Sequence, residues 1–241
     1  MDWQKDQVMS DEDRPSPTIE DYLGVIYALA RDGERVIGAR LAESLDVSPP
    51  TVTATLKRME RDRWIIIGGD KEITLTAQGR TMAMSVIRRH MLTEWMLSRV
   101  LKLPLSELHR EAHQIEHTLS PDVEERLQTE MEDPRFCPHG NPMPGFEEEV
   151  KEWLPLNQVS AGTQVRLERI HENLEEQYER LAFLEDNKLI PGVVIIVDEV
   201  LPFNETMRVL VGGESIMLGW NLAGLLYASD PRTGENNQEI G

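Results

Sequence analysis

The chain has 241 residues and 27.6 kDa, 40% hydrophobic and 28% charged, enough for about two domains of 100–200 residues. Its apolar runs at 64–67 and 193–197 are far shorter than the roughly 20 residues a membrane span needs, and the polar start MDWQKDQVMSDEDRPSP is no secretory signal, so a cytoplasmic location is expected. The single cysteine, Cys137, excludes an internal disulfide and any multi-cysteine metal site, and the net charge of −18 argues against nucleic-acid binding by the chain as a whole.

In chain order, residues 1–17 read as a disordered acidic leader. Thr18 is a candidate cap for a first helix, whose apolar positions Ile19, Tyr22, Leu23, Ile26, Tyr27 and Leu29 recur at helical spacing. A charged turn containing Gly33 ends it. A short helix follows at 38–45, and a turn at 46–48. Ser48 is a natural N-cap and Pro49 suits the first helical position. The next helix runs to about 63 with Val52, Leu56 and Met59 inward. WIII and EITLT then flank Gly68-Gly69-Asp70-Lys71, which predicts a hairpin.

Helical periodicity resumes over 77–132. Leu103-Pro104-Leu105-Ser106 breaks it, and Ser120-Pro121-Asp122 caps a third segment. Residues 134–144 are too rich in Pro and Gly to be regular. A boundary falls at 144–157. Beyond it come β-type runs at 163–170, 193–200 and 207–211, with a helical stretch at 174–184, which predict a small barrel; the last eleven residues read as a frayed polar tail.

Helix, turn, helix and hairpin describe a winged helix-turn-helix, whose second helix enters the major groove N-terminus first. Ser48, Pro50, Thr51, Thr53 and Ala54 occupy that end, and Lys57, Arg58, Arg61, Arg63 and Lys71 are candidate phosphate contacts. Residues 35–99 carry eleven Lys/Arg against seven Asp/Glu, a local +4 that leaves −22 for the rest. A protein-interaction module with a solvated basic face is the alternative.

Histidines cluster in HREAHQIEH. At 100° per residue, His109, His113, Glu116 and His117 fall at about 0°, 40°, −20° and 80° on one helix face. His90 and Glu94 form another i, i+4 pair, and Glu20 and Asp21 lie on the first helix. Imidazoles with carboxylates suit Mn, Fe, Co, Ni and Zn. A solvated or structural cluster is the alternative.

TIEDYLGVIYAL, the helix-turn-helix, MERD, LTAQGR, RRHMLTEWML, EAHQIEHTLS and CPHGNPMPG, in this order, resemble the diphtheria toxin repressor family of iron- and manganese-dependent regulators over about 18–145; residues 161–227 resemble its SH3-like, FeoA-type domain. The resemblance implies a mainly α protein with a small β part. Its winged helix-turn-helix would span 18–82, a helical dimerisation and metal domain 83–150, an SH3-like β-barrel 151–230, and a tail 231–241. It implies a homodimer that binds palindromic double-stranded operator DNA when divalent metal is bound. A primary site would use Asp21, His113, Glu116 and His117, and an ancillary one His90, Glu94 and His109. Glu176 and Glu179, or Gln177, are the candidates from the SH3-like domain.

Iron-type members carry Met and Cys at the Asp21 and His113 positions, and manganese-type members Asp and Glu. Losing both sulfur ligands favours Mn(II), while the imidazole of His113 pulls towards Fe(II), with Co(II), Ni(II) or Zn(II) fitting in vitro. Gly24 stands where some manganese regulators supply another carboxylate. The expected function is a metal-dependent repressor of metal-uptake genes, not an enzyme. Rivals are a metallohydrolase, although no HExxH or phosphate loop is present, a metal-independent regulator, and a metal-storage protein.

Overall fold

A computed structural model describes residues 14–231. The expected acidic leader lies outside the described residues up to position 13, and the expected tail from position 232. The chain forms two compact units that do not follow chain order. The first holds the described residues up to Thr93 together with His113–Asp133, and the second holds Glu94–Ala112 with the described residues from Pro134 onward. Among the described residues no helix is long and apolar enough to cross a membrane.

The first unit opens with α1 (Pro17–Arg31). Ser16 is its N-cap residue and Pro17 its first helical position, so the helix begins ahead of the expected Thr18 cap. The proline ring is preset to a first-turn φ and brings no orphan N–H, which moves the start upstream. Ile19, Tyr22, Leu23, Ile26 and Tyr27 bury one face. They share a core with Leu41 of α2 (Gly38–Ser44), with Val52, Leu56 and Met59 of α3 (Pro49–Arg61), and with Trp64 and Ile65. Between α2 and α3, Asp46 takes a left-handed φ of 48°. Ser48 then caps α3 by accepting from the Thr51 amide at 3.4 Å, and Pro49 is the first helical residue, as the sequence predicts.

Strands β1 (Ile65–Ile67) and β2 (Ile73–Leu75) pair antiparallel, Ile65 opposite Leu75, and form the predicted wing. The Lys71 amide closes its turn on Gly68 O at 2.9 Å; the left-handed φ, 67°, falls on Lys71 and not on either glycine. Arg35 holds the tip from outside, donating to Asp70 O at 2.9 Å and Asp70 Oδ2 at 2.5 Å.

Three further helices follow: α4 (Ala77–Arg99), α5 (Leu105–Ile115) and α6 (Pro121–Glu130). Thr76 caps α4 through the Gly79 amide at 3.0 Å, and Ser120 caps α6 through the Val123 amide at 3.4 Å. One expectation needs correction. The run HREAHQIEH is not a single α-helix, because α5 ends at Ile115 and Glu116–Thr118 forms a 3-10 turn. Terminal carbonyls without α-helical partners commonly tighten a last turn in this way.

In the second unit, β3 (Leu154–Pro155), β4 (Gln164–Ile170), β5 (Val194–Leu201), β6 (Thr206–Val211), β7 (Glu214–Gly219) and β8 (Leu226–Ser229) form an antiparallel sheet in the order β3-β8-β4-β5-β6-β7. Helix α7 (Tyr178–Asp186) and the short α8 (Trp220–Ala223) complete it. Alternate residues of the strands point inward, so Val165, Leu167, Ile195, Val197, Met207, Val209, Ile216 and Leu218 pack with Leu181 and Leu184 of α7. Strands β6 and β7 meet through Gly212-Gly213, both at positive φ, a two-residue connection that matches strand twist. The expectation of three strands missed β3, β7 and β8, which are short or, in β7, carry only three apolar residues, Ile216, Met217 and Leu218.

Candidate metal centre

In the first unit, α1 contributes Asp21, and the end of α5 with its 3-10 turn contributes His113, Glu116 and His117. Each offers one ligand atom within 4.8 Å of the others. His117 Nε2 lies 3.1 Å from Asp21 Oδ1 and 3.4 Å from Glu116 Oε1, and His113 Nδ1 lies 3.3 Å from Glu116 Oε1. These are the four residues that the resemblance implies for a primary site. The 3-10 turn carries Glu116 and His117 round by about 120° per residue instead of 100°, and the three side chains still gather at Asp21.

The electrostatics suit a cation. Asp21 Oδ1 is buried and faces His117 Nε2. Burial pushes the Glu116 carboxyl up, but bonds from His113 and His90 outweigh it and hold it at about 2. Hydrogen bonds to Asp21 and then Glu20 lift His117 to about 9, and the bond to Glu116 raises His113. The Glu116 carboxylate is thus ionised and the His117 imidazole protonated where an ion would sit. A divalent cation replaces those protons with one centre of charge, so oxygen and nitrogen donors of this kind fit it. His90, expected in the ancillary site, turns Nδ1 to Glu116 Oε2.

The second unit gathers another set. Glu94 on α4, Cys137 and His139 offer ligand atoms within 4.8 Å of one another, and Glu94, His109 and Glu175 do so as well. His139 Nδ1 is 3.2 Å from Glu94 Oε1 and 3.5 Å from Glu175 Oε1, while His109 Nδ1 is 3.0 Å from Glu175 Oε2. Asn141 steadies Glu175, donating to Oε1 at 2.6 Å. Burial lowers the pKa of His139, but the charges of Glu94 and Glu175 carry it to about 9; burial pushes the Cys137 thiol well up.

Here the sequence expectation is corrected. The carboxylate from the sheet domain is Glu175, which is buried, whereas Glu176 and Glu179 are exposed. Glu175 follows a 3-10 turn at Glu172–Leu174 that directs it inward, and the next residue points out. Cys137 and His139 lie in the irregular Pro- and Gly-rich segment, where periodicity gives no signal. Their loop is pinned: the Ile170 amide donates to His139 O at 2.8 Å and the Cys137 amide to Asn141 O at 2.9 Å. Gly140, at φ +84°, lets the loop meet the β4 irregularity, since a Cβ there would stand 1.9 Å from Glu168 O.

Comparison with known proteins gives the family. Residues 16–72 match the iron-dependent repressor N-terminal DNA-binding domain, 76–145 the iron-dependent repressor metal-binding and dimerisation domain, and 154–229 the FeoA domain. The chain is 35% identical over 217 residues to the iron-dependent repressor IdeR of Mycobacterium tuberculosis, covering 86% of this chain and 94% of that one. The chain belongs to the diphtheria toxin repressor family. It is 41% identical over 131 residues to the diphtheria toxin repressor of Corynebacterium diphtheriae, covering 54% of this chain and 58% of that one. The solved structure of the manganese regulator SloR is similar, with a TM-score of 0.71 and 28% identity over 88% of this chain and 98% of the other.

This family is one of metal-dependent transcriptional repressors rather than enzymes, which sets aside the metallohydrolase reading. In this member of it, α3 exposes Pro50, Thr51, Thr53, Ala54, Lys57, Arg58 and Arg61, with its cap Ser48 before it and Arg63 after it also exposed, and Lys71 stands exposed on the wing. Their duties differ. Ser48 Oγ is occupied as the helix cap and contacts Thr51 Oγ1 at 2.8 Å. Thr53 Oγ1 donates back to Pro49 O at 2.9 Å, and Arg61 forks onto Asp62 at 2.8 and 3.0 Å. Lys57, Arg58 and Lys71 carry no such partner-matched fork.

Proposed function

We propose that this repressor is switched by Mn(II), with Fe(II) the alternative from the same family, and that as a dimer it binds palindromic operator DNA of metal-uptake genes in the cytoplasm. The observation that supports this best is the Asp21, His113, Glu116 and His117 quartet, which has no sulfur donor and joins α1 to the 3-10 turn. Hard oxygen ligands with imidazole suit Mn(II), and Co(II), Ni(II) and Zn(II) fit the same donors in vitro. The relatives include IdeR, named for iron, and SloR, named for manganese.

The bound ion supplies a fixed positive charge shared by ligands from two elements. The chain's residues do the rest. Asp21 of α1 and Glu116 of the turn would share that charge with His113 and His117, and α1 holds α2 and α3 through the common apolar core. Metal raises DNA affinity only as far as it favours the DNA-competent arrangement. Two recognition helices in a dimer would then read half-sites one DNA turn apart, about 34 Å.

We also assign a second centre to Glu94, Cys137, His139, His109 and Glu175, with His90, one turn before Glu94 on α4, as the remaining candidate by resemblance. Its thiol makes it softer and more tolerant of Zn(II) or Fe(II).

The deciding experiment is selection from a random DNA pool with Mn(II), with Fe(II) and with chelator. A palindrome enriched only with metal supports the reading, and the metal that works at the lower free concentration identifies the effector. The same palindrome in the chelator arm overturns metal control.

A further inference from the structure

Arg89, on α4, is 0% exposed and heads the fully buried side chains by size. Its donors go to three elements. Nη2 donates to Glu20 Oε1 of α1 at 2.7 Å, Nε to the main-chain O of Glu116 at 3.1 Å, and Nη1 to Ser85 Oγ at 3.0 Å. The other oxygen of Glu20 lies 2.6 Å from His117 Nδ1. A buried ion pair roughly breaks even against apolar residues of equal volume, because desolvating both charges offsets their attraction. Stability alone is therefore a poor account of this one, and its geometry offers a better account.

We propose that Arg89 is a positioning residue for the first metal centre. Through Glu20 it commits Nδ1 of His117 and so presents Nε2 to Asp21 and Glu116. Through the carbonyl of Glu116 it holds the 3-10 turn that carries two ligands. It does not touch the ion. Outer-shell carboxylates that fix the tautomer and orientation of a ligating histidine are a general device, and here the carboxylate is itself clamped by a guanidinium. A lysine would keep the charge but cannot serve Glu20 and the Glu116 carbonyl with one rigid fork. The consequence is a centre arranged before metal arrives.

This rests on the metal reading above, and the test separates the two. The full chain, with 15N-labelled histidine, would be followed by NMR without metal and with Zn(II), a diamagnetic probe. Wild type would be compared with Arg89→Lys and with the double variant Glu20→Leu/Arg89→Met, which removes both buried charges together and so avoids stranding one. In wild type, His117 Nδ1 keeps its hydrogen in both states and Zn(II) moves the Nε2 resonance. In both variants the Nδ1–H signal leaves its hydrogen-bonded position and Zn(II) affinity at this centre falls about tenfold to a hundredfold, with unchanged circular dichroism. Wild-type His117 shifts and wild-type Zn(II) affinity in the variants would overturn the proposal. If Zn(II) left Nε2 of wild type unmoved, the metal reading would fail instead, and the metal-free Nδ1–H signals would still decide the role of Arg89.

Discussion

His109 and His113 stand one turn apart on α5, yet His109 Nδ1 lies 3.0 Å from Glu175 Oε2 and His113 Nδ1 lies 3.3 Å from Glu116 Oε1. One helix thus serves two separate sets of candidate ligands. His113→Ala is expected to weaken Mn(II) binding at the first centre about tenfold or more and to abolish metal-dependent operator binding. His109→Ala should leave the first centre intact and weaken only the second. Titration calorimetry on both variants checks this, and loss of the same binding phase in each would contradict it.

Metal binding should be strongly pH-dependent. His117, raised to about 9, and His113, also raised, hold protons that a metal must displace. Apparent affinity should rise with pH up to about 9, with proton release visible as a buffer-dependent heat. In metal-free protein the sign reverses. The stability that His117 adds is complete below its unfolded value of about 6.5 and is lost as pH rises through about 9, a loss of about 2 kcal/mol after screening. Glu116, held at about 2, adds stability above about 4.5 that is lost as pH falls towards 2. Urea unfolding of wild type and His117→Gln at pH 7 and 9.5 should show the difference only at the lower pH.

Lys57, Arg58 and Lys71 are exposed on α3 and the wing. Each change to Ala should weaken operator binding about equally across sequences and reduce the slope of log affinity against log salt by about 1. Changing Thr51 or Ala54 should alter which base is preferred with little effect on that slope. Fluorescence anisotropy across salt concentrations separates the two behaviours.

Gly140→Ala is expected to cost at least about 2 kcal/mol, because the new Cβ meets Glu168 O at 1.9 Å and φ is +84°. The loop bearing Cys137 and His139 must then lift from β4, so thermal midpoint and affinity at the second centre should fall together. Cys137→Ser should instead keep the midpoint in metal-free protein and weaken Zn(II) more than Mn(II).

What could be read from sequence was what rests on local chemistry. The Ser48-Pro49 and Ser120-Pro121 starts, the wing and the inward Val52, Leu56 and Met59 all follow from capping and periodicity. The first ligand set was legible because its three neighbouring residues share one short segment, although the 3-10 turn that shapes it was not foreseen. Glu175, Cys137 and His139 were missed for a different reason. Their convergence depends on an irregular loop lying along β4, a tertiary register that carries no periodic trace. Nothing in the RRH run sets Arg89 apart from its basic neighbour; its burial does.

The cap at the start of α3 has a further meaning. Ser48 and Pro49 fix where the helix begins, and Val52, Leu56 and Met59 fix how it is seated. Thr51 and Ala54 between them are exposed; Thr51 Oγ1 touches the Ser48 cap at 2.8 Å, and Ala54 has no part in cap or seating. On the proposed reading, the DNA address at Ala54 is rewritable at little cost in folding, while the distant candidate ligands that would decide when it is read stay as they are.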